Sequence, residues 1–425
     1  MSNAFETLQA RGFIEAVSDA AIGKYLQEGA RSIYAGFDPT ADSLHLGHLV
    51  PILALAHFQR AGHNVIALVG GATGMVGDPS GRSSERNLLT ADDVAHNARC
   101  LKTQMQKFID FNTGAQLLDN NDWIGKMTFI DWLRDVGKYF TINYMINKES
   151  VRKRMENEQG ISYTEFSYMT MQAYDFLHLR REHNCTIEVG GSDQWGNITA
   201  GMDLIKRVLG NDAHAYGITF PLMQTANGEK FGKSAGNAVW LDPARTSPFQ
   251  FYQYWIRTDD RDVERFLKIF TFLELDEIAA IVQLHNAKPE ERYGQKRIAQ
   301  EMTRTVHGEA ELAKVERASA VLFGGGMDGL TDQDLAEIFP DVPSRELPRT
   351  AIEGDGTPLA DLLVQAQVAA SKGEARRLIQ GGGVNLNNQR MTDPMAAITT
   401  EQLVGESAMV LRTGKKNYTL LRFPK

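Results

Sequence analysis

The stretch FDPTADSLHLGHLVP, residues 37–51, places His45 and His48 three positions apart, either side of Gly47. Three chemistries fit such a pair. Metal fits worst: zinc takes three or four ligands, and no cysteine or carboxylate stands at a useful spacing nearby. Phosphate fits better. The pair lies between a strand end and a helix start, where backbone N–H groups and the helix dipole already favour an anion. Asp38, Pro39 and Thr40 shape the loop, and Gly47 lets a ligand approach the backbone. Two imidazoles there can donate to a phosphate whose charge builds up in a transition state. The third reading is two histidines that only cap a helix, and this stretch alone does not decide between the last two.

Four further stretches carry polar side chains at suggestive spacing. GEKFGKSAGN, 228–237, imitates a P-loop, but that motif needs glycine where Asn227 stands, and no strand–helix pair flanks it. It reads as a glycine-flexed loop carrying two mobile cations, Lys230 and Lys233, or as a merely solvated lysine loop. SYMTMQAYD, 167–175, sets Tyr168, Gln172 and Asp175 at i, i+4 and i+7, on one face of a helix. A phenol, an amide and a carboxylate on one stripe make a pocket wall or an exposed face. The rest of that helix is apolar, which favours the wall. GGSDQWGN, 190–197, leaves a strand with Gly190 and Gly191 open to a ligand and with Asp193 able to accept from a ribose hydroxyl. GGATGMVGDPSGRSSER, 70–86, offers Asp78 as an anion and Arg82 and Arg86 as phosphate partners, and is no dinucleotide fingerprint.

The elements that must position these residues alternate strand and helix. SIYAGF (32–37), VIALVG (65–70) and TIEVGG (186–191) read as buried strands, and 46–60, 91–110 and 197–209 as helices. Pro51 falls in the second turn of the first of these and should bend it or remove one bond. The alternation predicts a Rossmann-like parallel α/β sheet over 1–222, with ligands beyond the carboxyl ends of its strands. A connection with the lysine loop follows at 223–245. From about 246 to 330 the pattern turns helical, and 331–350, with Pro340, Pro343 and Pro348, reads as a linker. Residues 351–425 form a small α/β piece: helices at 359–369 and 371–380, a glycine turn, then strands.

Composition sets the outer bounds. Of 425 residues, 43% are hydrophobic and 23% charged, which suits an ordinary globular chain of two or three domains. Only Cys100 and Cys185 are present, so a disulfide scaffold and a cysteine zinc site are excluded. No apolar run has the length of a membrane span and the N-terminus lacks a signal-peptide core, so a cytoplasmic location is expected. The formal charge is −8, unevenly spread. Residues 351–425 carry nine Lys/Arg against seven Asp/Glu and are mildly basic, which allows an anionic partner for the tail.

Taken together, HLGH followed by KFGKS resembles the paired signatures of class I aminoacyl-tRNA synthetases. With YAGFDPTADSLHLGH, VGGATG, GDPS, EFSY, QAYDF and GGSDQWGNIT, the likeness is to the bacterial tyrosyl-tRNA synthetases and covers nearly the whole chain. SKGEARRLIQGGGVNLNN resembles an S4-type RNA-binding module. The resemblance implies that tyrosine attacks the α-phosphate of ATP, giving tyrosyl-adenylate and pyrophosphate, and then passes to the end of tRNA(Tyr). Thr40, His45 and His48 would hold the phosphates. Lys230 and Lys233 would close over the transition state, with Arg82 and Arg86 near the pyrophosphate. Asp78, Tyr168, Gln172 and Gln194 would hold the amino end of tyrosine, and Tyr34 and Asp175 its phenol. Gly36, Asp38, Gly47, Gly191, Asp193 and Ser234 would complete the ATP site. Lys372, Arg376, Arg377, Arg412, Lys415 and Lys416 would meet tRNA. Mg²⁺ would arrive with ATP, without a protein cage of its own. Ala35 stands where the family often has cysteine. Two rivals are the tryptophanyl enzyme, which has no use for Tyr34 and Asp175 aimed at a hydroxyl, and a non-catalytic RNA-binding relative. The resemblance also implies a homodimer, for which 129–146 has the apolar content; a buried helix is an equal reading.

Overall fold

The computed structural model describes residues 3–80, 89–156, 160–229, 231–234, 237–322, 324–340, 342–414 and 417–425. Arg82, Arg86, Lys230, Lys415 and Lys416 lie outside them. Six strands form one sheet: β1 (Ala16–Val17), β2 (Ser32–Phe37), β3 (Asn64–Val69), β4 (Ala115–Asp119), β5 (Cys185–Gly191) and β6 (Tyr216–Phe220). Their order is β1-β6-β5-β2-β3-β4. All neighbours are parallel except β1, which pairs antiparallel with β6. The chain first builds outward from β2 through β3 and β4, then crosses to lay β5 and β6 on the other side. The order therefore reverses between β2 and β5, and a crevice opens beyond their carboxyl ends.

The helix after β2 differs from the expected 46–60. A 3₁₀ turn spans Leu46–His48 and the α-helix runs Leu49–Arg60. Pro51 thus lies in the first α-turn, where its missing N–H has no partner to lose, and the expected bend has no cause.

The Tyr163–Glu182 helix, which carries the polar stripe, starts at N-cap Ser162, whose side chain accepts from the Glu165 N–H. Glu165 takes two charge-assisted bonds from Arg154, at 2.7 and 3.1 Å, with both side chains almost wholly buried. Removing one partner strands a buried charge. Arg154→Ala should cost about 3–5 kcal/mol in urea unfolding, far above a surface pair. A loss below about 1 kcal/mol would show that water reaches Glu165.

The chain parts into two compact units; it leaves the first after Thr246 but returns to it at Tyr254, so 246 is not where that unit ends. Unit one holds residues 1–246 and 254–306, unit two 247–253 and 307–425. Side chains explain why much of the helical stretch joins the first. Arg11 donates to the carbonyls of Lys268, Thr271 and Leu273. Phe231 lies buried among Trp255, Phe266 and Phe270.

In unit two the expected linker 331–350 has structure. It holds the Asp332–Ile338 helix and the Ser344–Glu346 strand, which pairs parallel with Asn417–Arg422. Asp332 accepts from the Glu406 and Ser407 backbone, and Leu347 is in the core with Leu359, Val384, Leu411 and Phe423. Prolines mark the chain's turns here but do not keep it from packing. Among the described residues no helix is long and apolar enough to cross a membrane.

Candidate active site

At the β2–β5 crevice lies a cavity of about 260 Å³. It gathers Tyr34, Gly36, Asp38, Thr40, His48, Asp78, Tyr168, Gln172, Asp175, Gly191, Asp193 and Gln194, from stretches up to 160 positions apart. Burial grades from rim to floor: Gly36, Thr40 and Asp193 are exposed, while Tyr34 and Asp175 are 1% and 2% exposed. The 3.6-residue stripe on the Tyr163–Glu182 helix is a pocket wall.

The floor is a hydrogen-bonded frame. Asp175 accepts from Asn120 Nδ2 (2.9 Å) and Trp123 Nε1 (2.7 Å). Asp38 accepts from the Tyr168 hydroxyl (2.9 Å) and from Thr73 Oγ1 (2.8 Å). Gln194 Nε2 donates to Asp78 (2.7 Å), and Asn197 Nδ2 donates to the amide oxygens of Gln172 (3.0 Å) and Gln194 (3.2 Å). Gln172 Nε2 donates in turn to Glu188 Oε1 (2.9 Å).

Burial dominates the electrostatics. It pushes the Asp175 carboxyl well above the usual range against the pull of Asn120 and Trp123. Burial, reinforced by Glu188 and Asp175, keeps the Tyr34 phenol neutral at any ordinary pH. Glu188, 2% exposed, is pushed up to about 7 by burial, offset in part by Gln172 and Tyr34. The Tyr34 hydroxyl and Glu188 Oε2 are both buried without a partner of ordinary hydrogen-bond geometry.

The histidine pair does two things at once. The Gly47 N–H donates to His45 Nδ1 and the His45 N–H to His48 Nδ1, each at 3.1 Å, so the rings cap the turn. A backbone N–H can only donate, so both Nδ1 atoms are acceptors and the ring protons sit on Nε2. The rings stack 3.9 Å apart. The helix-cap reading and the phosphate reading are therefore compatible: Nδ1 serves the backbone, and Nε2 carries the proton. Gly47 has a steric reason as well, since a Cβ there would meet the His45 ring at 2.9 Å.

The lysine loop is pinned at its middle. Between Lys230 and Lys233, Phe231 is buried, and Gly232, at φ +78°, donates its N–H to the Tyr254 hydroxyl oxygen (2.9 Å). A Cβ on Gly232 would stand 3.1 Å from Leu46, so this loop lies against the histidine turn. Lys233 itself is exposed, and it lines a second cavity, of about 520 Å³, with Asp259, Asp260 and Asp262. The structure does not bring it into the first cavity. Ser234 is described only as backbone, in the two-residue strand Lys233–Ser234.

The family of tRNA synthetases class I (W and Y) matches residues 26–324. The chain belongs to this family. A second family, described as the tyrosine–tRNA ligase SYY-like C-terminal domain, matches residues 334–421 of this class I synthetase. The tyrosine–tRNA ligase of Roseiflexus castenholzii is 49% identical over 425 residues, 99% of this chain and 100% of its own. Tyrosine–tRNA ligase 1 of Bacillus subtilis is 49% identical over the whole of both chains. A C-terminally truncated mitochondrial tyrosyl-tRNA synthetase of Aspergillus nidulans superposes with a TM-score of 0.69 at 34% identity, covering 76% of this chain and 95% of that one.

In the tail of this synthetase, Arg376 and Arg377 are exposed on the Lys372–Gln380 helix. Lys372 pairs with Asp361 at 2.9 Å, an exposed ion pair of little worth, and Arg412 lies over the Tyr418 ring. The residues that sequence reasoning missed are those that hold the others: Thr73, Asn120, Trp123, Glu188 and Asn197. Only Glu188 left a trace, as a charge inside the apolar strand TIEVGG.

Proposed function

We propose that the cavity selects L-tyrosine and activates it with ATP, and that the adenylate then yields its tyrosyl group to tRNA(Tyr). The observation that carries this reading is the floor: a phenol whose hydroxyl has no partner of ordinary hydrogen-bond geometry, Tyr34, and a carboxylate, Asp175, line the same buried space. Ionised, Asp175 can only accept, and Tyr34 both donates and accepts. A ligand hydroxyl fits between them, an indole does not, and the benzyl group of phenylalanine would leave both unpaired. Asp78, Tyr168, Gln172 and Gln194 offer acceptors for an ammonium. His45 and His48 offer Nε2–H donors to phosphate, and Lys230, Lys233, Arg82 and Arg86 supply positive charge where pyrophosphate forms. No side chain acts as a covalent nucleophile; orientation and charge stabilisation carry the step. Mg²⁺ comes with ATP. Among the described residues no three His, Cys, Asp or Glu are grouped to hold an ion.

ATP–pyrophosphate exchange with tyrosine, phenylalanine and tryptophan tests the reading. Tyrosine should exceed both by orders of magnitude. Tyr34→Phe should narrow the tyrosine–phenylalanine gap by about 3- to 10-fold, the worth of one hydrogen bond. An unchanged kcat/KM ratio would remove Tyr34 from the role. Intact HLGH and KFGKS also speak against a purely RNA-binding relative, which would show no exchange at all.

We also propose a homodimer that uses the segment 129–146. Phe129 (63% exposed), Ile130 (68%) and Ile142 leave apolar surface there that a monomer has no reason to show. Arg376, Arg377 and their neighbours would meet the tRNA phosphates. A cytoplasmic site of action goes with this role.

A further inference from the structure

Glu188 sits at the centre of β5, one residue behind the cavity wall, and does not line the cavity itself. Its Oε1 is held by Gln172. Its Oε2 lies against Gly201 of the Trp195–Leu209 helix, 3.3 Å from where a Cβ would stand. The titratable groups around it are Tyr34 on β2, Asp175 on the Tyr163–Glu182 helix and Cys185 on its own strand. No cation among the described residues pairs with it. It is the charge that acts most strongly on Tyr34. Tyr34 and Glu188 stand opposite each other on β2 and β5, and the Tyr34 hydroxyl acts on Glu188 as a hydrogen-bond partner, although neither it nor Oε2 has a partner of ordinary geometry; a buried carboxylate so weakly met is costly.

We propose that Glu188 is a positioning residue that sets the direction of the Tyr34 O–H. When protonated, Glu188 donates to the Tyr34 oxygen, and the Tyr34 hydrogen turns to the substrate phenol, whose own hydrogen goes to Asp175. When ionised, Glu188 draws the Tyr34 hydrogen to itself, and the donor to the substrate is lost. The protonated state makes a continuous chain of donors, Glu188 to Tyr34 to substrate to Asp175, in which each bond strengthens the next. This inference rests on the tyrosine reading above.

Burial holds the Glu188 carboxyl up to about 7, so both states are populated near neutral pH. The Tyr34 phenol and the Cys185 thiol, the latter at about 12, stay neutral across that window. Asp175 is the other carboxyl in reach, and substitution separates the two. Tyrosine and phenylalanine kcat/KM should be measured by pyrophosphate exchange from about pH 6 to 9 in the full chain, in Glu188→Gln, in Tyr34→Phe and in the double variant. The tyrosine preference of the unaltered enzyme should fall about 3- to 10-fold as pH rises through Glu188's range. Glu188→Gln keeps an amide donor at every pH and should flatten that profile. In the Tyr34→Phe background Glu188→Gln should change the preference no further. A flat profile in the unaltered enzyme overturns the proposal. So does a fall that survives Glu188→Gln, which would assign it to Asp175. Infrared spectra give a readout that does not need catalysis. The carbonyl band of a protonated carboxyl should be present at pH 6, fade towards pH 9 and be missing in Glu188→Gln. If that band behaves so while tyrosine supports no exchange, the choice of substrate has failed and the proposal about its phenol is overturned with it. If exchange is tyrosine-dependent and the band is missing, the proposal alone fails.

Discussion

Replacing Lys233 with alanine should slow tyrosyl-adenylate formation by about 100-fold or more and leave tyrosine affinity nearly unchanged. The tyrosine contacts proposed here all lie on the cavity floor and its helix wall, whereas Lys233 is exposed and lines the separate cavity with Asp259, Asp260 and Asp262. Its charge can therefore be withheld from the ground state and applied only where charge develops, which is the arrangement that raises kcat rather than binding. The packing of the loop's centre suits this: Phe231 stacks on Phe270 and Gly232 lies against Leu46, so a movement of the lysine would turn about that point. Stopped-flow rates of adenylate formation and equilibrium tyrosine binding measure the two sides. A loss of affinity that parallels the loss of rate would place Lys233 in ground-state binding instead.

Removing the tail should separate the two half-reactions. From the sequence the cut belongs at 351. The structure moves it, because the Asp332–Ile338 helix and the Ser344–Glu346 strand pack with the tail. A chain ending at about residue 325 should exchange pyrophosphate nearly as the full chain does and lose most tRNA charging. One ending at 350 should do the same chemistry but aggregate, since Leu347 and Phe339, which packs on Tyr418, would be uncovered. Lys372, Arg376, Arg377 and Arg412, with Lys415 and Lys416 beyond the described residues, would supply phosphate contacts that release counterions. The tRNA affinity of the full chain should thus fall with salt, and the shortened chain should show a shallower slope. Equal tRNA affinity with and without the tail would end the RNA-binding reading. Damage to both half-reactions together would make the tail a structural support.

The parts legible in the sequence were those with local signals. Strand–helix alternation announced the parallel sheet, and Tyr168, Gln172 and Asp175 announced a polar stripe because helical periodicity is a property of one segment. What stayed hidden depends on partners distant in the chain. Asp175 is held by Asn120 and Trp123, 55 and 52 positions away, in a stretch, LLDNNDWIG, with no periodic signal. The position of Pro51 relative to the first α-turn was also hidden, because a 3₁₀ turn and an α-turn share the same apolar spacing over three residues. The prolines of 331–350 were misleading for a similar reason: they report local turns, and the pairing of Ser344–Glu346 with Asn417–Arg422 is not local.

That pairing has a consequence for how the protein comes off the ribosome. Leu420–Arg422, against which Ser344–Glu346 must lie, are made well after that strand. The first unit closes with Val306, so its chain is complete while more than a hundred residues remain to be translated. At about 5–20 residues per second this is a delay of some seconds, during which the early unit can fold and the tail sheet lacks its partner strand. A prematurely terminated chain would then carry the proposed tyrosine site without a finished tail, and on that reading would bind tyrosine without sequestering tRNA.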